Sequence, residues 1–249
     1  LSFPPWQSVR GLFDPDKQKW ELYNIEEDFS QANDLAQANP EKLRELQDLW
    51  WVEAAKYNVL PLDWRGVERF NSEAMGRPSL IAGRKKLEYF PGMVALPLGS
   101  APPMLNKSWT ITADIEVPDG GNGMIATEGG LEGGLGLYLR DGKPTFVYNF
   151  LGVERPTFAA KDPLPKGKTK LVVNFAYDGG GPGKGGTVTM TANGNKIAEG
   201  RLQRTIPFQF SLGEGLDIGM DGGSAVDFTY KLPFKFTGTI EKVEIELAK

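Results

Sequence analysis

Beyond residue 84 the chain is written almost entirely in alternation. In SWTITADIEV (108–117), Trp109, Ile111, Ala113, Ile115 and Val117 fall on one face of an extended strand, and Thr110, Thr112, Asp114 and Glu116 fall on the other. Comparable runs follow: GMIATEGG, GLGLYLRDGKPTFVYNFLG, TKLVVNFAYDG, GTVTMTANGNKIAEG, EGLDIGMDGG and FKFTGTIEKVEIELAK, each bounded by Gly, Pro, Asn or Asp. Asp141 with Gly142 and Asn193 with Gly194 are the clearest hairpin turns, because both central residues of a type I′ turn need positive φ. Many short strands with no helices between them predict an antiparallel two-sheet jelly-roll sandwich over residues 85–249.

The first 65 residues follow other rules. Pro4, Pro5 and Pro15 interrupt regular structure around Trp6 and Phe13. KWELYNI (19–25) alternates as a half-buried or edge strand would. A helix is then predicted from Pro40, with Asn39 as N-cap, Pro40 at the first helical position and Glu41 near the positive end of the dipole. Leu43, Leu46, Trp50, Ala54 and Tyr57 recur every three or four residues, and Pro61 closes the segment. Leu49, Trp51 and Val52 widen the apolar stripe, which fits an ordinary core helix, since wide stripes are common in packed helices, or a helix with a second covering surface. Residues 66–84, punctuated by Gly66, Gly76, Pro78 and Gly83, read as a linker. The organisation expected is therefore a small α+β segment at 1–65, a linker at 66–84 and a sandwich at 85–249.

Composition narrows the chemistry. The chain holds no histidine and no cysteine, which removes Ser-His-Asp and Cys-His machinery and thiolate-held zinc. Lys plus Arg number 28 against 32 Asp plus Glu, a net charge of -4 with no basic run, so nucleic acid is not an expected partner. No apolar run is long enough to span a bilayer. The chain opens on Leu1, and a longer parent is expected.

Four features invite a functional reading. DGGGPGKGG (178–186) resembles a phosphate loop, but Asp178 stands where the first glycine belongs, Gly185 replaces the Ser or Thr after Lys184, and a strand follows, so a surface hairpin is expected. Glu244 and Glu246 are spaced like paired glycosidase carboxylates, yet Val243, Ile245 and Leu247 make them the solvated side of a strand. Asp217 and Asp221 in LDIGMDGG are the candidate ligand or cleft-rim residues, since carboxylates with loop carbonyls suit calcium; the glycines around them equally suit a tight bend. Trp64, Tyr89, Tyr148 and Tyr230 are candidates for stacking on a sugar, although a lone aromatic on a sandwich is more often core.

KWELYNIEEDFSQANDLAQANPEKLRELQDLWWVEAAKYNVLPLD (19–63) resembles the C-terminal stretch of the bacterial arylsulfatases, the formylglycine-dependent type I sulfatases. GRPSLIAGRKKLEYFPGM, GKPTFVYNFLGVER, FAYDGGGPGKGGTVTM, LDIGMDGGSAV and FTGTIEKVEIEL are similar, in the same order, to the sandwich tail of one branch of that family, a concanavalin- and laminin-G-like jelly roll. The resemblance implies a parent that hydrolyses sulfate monoesters with calcium and formylglycine, in the periplasm or secreted. The Cys/Ser-x-Pro-x-Arg motif that becomes formylglycine is absent, so no catalytic residue is carried over and no cofactor is expected in this chain. The implied role is that of a non-catalytic C-terminal piece whose sandwich packs on the catalytic sulfatase domain of the same parent. The alternative is a glycan-binding module for sulfated polysaccharide.

Overall fold

The computed structural model describes residues 19–60, 81, 83–97 and 99–248. The chain divides into two compact units, Leu1–Arg69 and Phe70–Lys249. The expected linker and the segments around Pro4, Pro15, Pro61 and Trp64 lie largely or wholly outside the described residues.

In the smaller unit, α1 (Pro40–Lys56) starts at the expected place, with Pro40 in the first turn and Asn39 as N-cap. Asn39 caps through its backbone carbonyl, which accepts from Leu43 N at 3.1 Å, while its side chain makes no cap bond. Of the predicted stripe only Ala54 is buried; Leu46, Leu49, Val52 and Tyr57 are exposed. Trp50 meets Trp20 edge to face at 6.2 Å. Residues 19–25 form no strand. Leu22 N donates to the Asp34 carboxylate at 3.0 Å rather than to a neighbouring strand, and Asn24 O turns the chain by accepting from Glu27 and Asp28. A local carboxylate thus takes a donor that a ladder would need.

The larger unit is an antiparallel sandwich of β1 (Lys86–Tyr89), β2 (Trp109–Val117), β3 (Gly123–Gly130), β4 (Gly133–Arg140), β5 (Lys143–Asn149), β6 (Thr157–Ala159), β7 (Gly167–Tyr177), β8 (Lys184–Ala192), β9 (Asn195–Arg204), β10 (Leu216–Ile218) and β11 (Thr239–Leu247). One sheet runs β1-β11-β2-β7-β8-β9 and the other β10-β3-β4-β5-β6. This is the mainly β jelly-roll architecture expected. The alternation of β2 places Trp109, Ile111, Ala113, Ile115 and Val117 in the core. Both predicted turns hold positive φ, with Asp141 at 50° and Gly142 at 75°, and Asn193 at 49° and Gly194 at 83°. The sandwich begins and finishes on one edge, where β1 pairs with β11 and Leu247 N donates to Lys85 O at 2.7 Å.

The five-stranded sheet departs from simple alternation, because β3 and almost all of β4 and β5 are buried on both faces. Their inner face joins the main core. Their outer face is roofed by the segment between β10 and β11, where Val226, Tyr230 and Phe234 pack on Met124, Tyr138 and Val147. Gly136 makes room for this roof: a Cβ there would lie 2.9 Å from Val226 Cγ1.

Candidate functional site

The roof is fastened by Asp221, one of the two candidate ligand or cleft-rim residues. Asp221 exchanges backbone bonds with Phe234, 3.3 Å from its N–H and 2.9 Å to its carbonyl. Its carboxylate accepts from the Tyr230 hydroxyl, and the Tyr230 ring stacks on Phe234 at 4.3 Å. Burial raises the Asp221 pKa, the Tyr230 bond opposes this, and the charges of Asp217 and Glu214 add to the rise. Asp217 accepts from Ala95 N. Asp227, which the sequence did not flag, accepts from Tyr138 Oη at 2.7 Å, Thr229 Oγ1 at 2.8 Å and its neighbour Phe228 N at 2.7 Å. Asp217 and Asp221 thus each accept an internal hydrogen bond through one carboxylate oxygen. Among the described residues no group of three or more carboxylates is placed to hold a hard cation.

The other candidates resolve by position. Glu244 is tied to Lys86 at 2.7 Å and lies 3.6 Å from Lys242, and the Lys86 contact holds its carboxyl below the usual range. Glu246 pairs in register with Lys86 on the same strand edge. Tyr89 and Tyr148 are buried rather than available to a sugar: Tyr89 donates to Ser100 O at 2.9 Å, and Tyr148 Oη accepts from Ile206 N at 2.8 Å. Burial pushes the Tyr89 pKa up to about 12. Tyr230 is part of the roof. The expected stacking role therefore falls on none of the three described tyrosines.

Several exposed aromatic and apolar side chains sit instead on loops that are tied to one another. Leu131 follows β3, Leu151 and Val153 sit between β5 and β6, and Phe228 ends the roof's first half; Val153 is 73% exposed and Phe228 69%. Arg155 binds these loops together. Its Nε donates to Val226 O at 3.3 Å, Nη1 to Gly152 O at 3.1 Å and Nη2 to Leu131 O at 3.5 Å, while its guanidinium lies 3.9 Å over the Phe228 ring. Asn149 adds a second clamp, donating to Gly130 O at 2.6 Å and Leu131 O at 3.0 Å and accepting from Gly152 N at 2.9 Å. Leu131 N donates to Ser224 Oγ at 2.8 Å, and Ser224 in turn donates to Glu214 through both its hydroxyl and its N–H. Leu212, 76% exposed, stands two residues from Glu214. Apolar tips are thus held outward on a hydrogen-bonded frame. A sequence signal existed in the run NFLGVERP, where Leu151 and Val153 break the polar composition usual for a connection.

No family model matches the chain, and no curated protein matches it. Among solved structures it is similar to the CBM40 of Ruminococcus gnavus IT-sialidase bound to alpha2,3 sialyllactose, at 15% identity over 67% of this chain and 92% of that one, with a TM-score of 0.44. It is also similar to domains LG4-5 of the mouse laminin alpha1 chain, at 15% identity over 66% of this chain and 42% of that one, with a TM-score of 0.46. Both are likenesses of architecture.

Proposed function

We propose that the chain is a non-catalytic accessory module that works by contact, and that its loop end seats on the catalytic domain of a parent sulfatase. The observation that supports this is the set Leu131, Leu151, Val153 and Phe228, exposed together on a frame fixed by Arg155 and Asn149. Each such side chain gains about 1.5–3 kcal/mol on full burial. Several together offset the association cost, itself about 4–15 kcal/mol. Aliphatic tips offer no hydrogen bond to a sugar hydroxyl but pack well on protein. The sulfatase parentage rests on the resemblance of residues 19–63 and the ordered segments after them. The test is Val153→Asp with Phe228→Asp in the full-length parent, assayed on an aryl sulfate and by thermal unfolding. A lowered unfolding temperature or altered turnover, with the 249-residue chain alone unfolding as before, is the expected result. Unchanged stability and turnover in the parent overturns the reading.

A second reading, glycan binding, is favoured by Phe228, an exposed ring backed by the Arg155 cation. The CBM40 neighbour is a structure bound to sialyllactose, a property of that protein. Retention of the 249-residue chain on a sulfated- or sialylated-glycan column, lost in Phe228→Ala, is the result this reading requires. Elution with the unbound fraction removes it.

A further inference from the structure

A second surface lies beside the glycine hairpin between β7 and β8. Lys107, Ser108, Tyr177 and Gly179 to Gly181 line most of an open cleft of about 440 Å³, and no carboxylate lines it. In a chain of net charge -4 this is a locally cationic hollow. Lys107 has no ion pair or hydrogen bond to any described residue, and the N–H groups of Gly179, Gly180 and Gly181 donate to none. The acidic residue of the hairpin, Asp178, is neutralised by Arg201 through two bonds of 2.9 and 2.7 Å.

The hairpin is also fixed in shape. The Tyr177 hydroxyl donates to Gly181 O and accepts from Lys184 N at 2.9 Å. Gly183 N donates to Asn106 Oδ1 at 2.8 Å, and Tyr177 N donates to Ser108 Oγ at 2.9 Å, which leaves the Ser108 hydroxyl proton free to be given elsewhere. Gly179, Gly180 and Gly181 hold φ of 75°, 77° and 118°, a run that L side chains rarely adopt. The hairpin backbone that carries these donors is therefore fixed in advance, so less of it remains to be ordered on binding.

We propose that this cleft binds a tetrahedral oxyanion, the sulfate or phosphate group of a larger ligand, through the Lys107 ammonium, the Ser108 hydroxyl and the Gly179 to Gly181 amides. The site shares no residue with the loop-end contact. The test is a titration of the ¹⁵N-labelled 249-residue chain with sodium sulfate and, separately, sodium phosphate, each at ionic strength matched with chloride. Saturable shifts of the Gly179 to Gly181 amides are expected, with binding weakened about tenfold in Lys107→Gln and more in Lys107→Glu. Preference for one anion identifies the source of the group. Shifts reproduced by chloride alone, or unaltered by either Lys107 substitution in a chain whose amide spectrum is otherwise unchanged, overturn the site.

Discussion

The least expected residue of the core is Glu128. It stands on β3 in register between Leu216 and Leu135, fully buried, with Oε2 lacking any hydrogen-bond partner, and burial pushes its pKa up to about 8. The folded state therefore keeps this proton to higher pH than the unfolded chain does. Its contribution is fully present below about 4.5 and is lost as pH rises to about 8, a loss on the order of a few kcal/mol. Urea unfolding at pH 5 and pH 8.5 is expected to show this slope, with Glu128→Gln flattening it and Glu128→Leu stabilising the chain at the higher pH. Equal slopes in parent and variant place the proton elsewhere. Arg155 is the second residue with an outsized role. Its three carbonyl acceptors need a planar fork, so Arg155→Lys is expected to behave like Arg155→Ala. Both cost about 1–2 kcal/mol and speed amide exchange around Gly152 and Phe228. A lysine variant with native exchange contradicts that role.

Among the elements, the roof carries the clearest consequence. Gly136 on β4 is small because Val226 occupies the space where its side chain would stand, with Met124 Cε 3.2 Å and Val147 Cγ1 3.4 Å from the same point. Gly136→Val is expected to lift residues 220–236, cost about 1–3 kcal/mol and increase binding of a hydrophobic dye. A variant with native unfolding and no added dye binding means that the roof repacks freely. Helix α1 poses the opposite situation. Its Leu49 and Val52 are exposed, and its surface ion pairs, Arg44 with Asp48 at 3.2 Å and Lys42 with Glu45 at 2.8 Å, contribute only a few tenths of a kcal/mol. Leu49→Gln is therefore expected to leave the chain's own stability within about 0.5 kcal/mol, as urea unfolding would report.

At the level of the whole molecule, what the sequence revealed divides by distance along the chain. The sandwich was legible wherever one face meets the core and one meets water, as in Trp109 to Val117, and wherever a turn has a conformational signature, as at Asn193 and Gly194. It was not legible where a remote segment supplies the cover. Nothing around Met124 or Tyr138 announces that Val226 and Phe234, about a hundred residues later, will bury their outward side. For the same reason local sequence does not separate a core place from an exposed one for Tyr89, Tyr148 and Tyr230, nor announce that Asp221 fastens the roof. Residues 19–25 misled by pattern alone, since their alternation is real but the Leu22 donor is taken by Asp34 and their turn is set by Asn24. The pairing of β1 with β11, closed by the bond from Leu247 to Lys85, has one more consequence. The sandwich is a closed circuit in space, with its entrance and exit side by side. A short peptide joining Ala248 to Lys85, with the chain reopened between Asn193 and Gly194, would preserve every strand pairing in reordered sequence, so the fold is indifferent to where along that circuit synthesis starts.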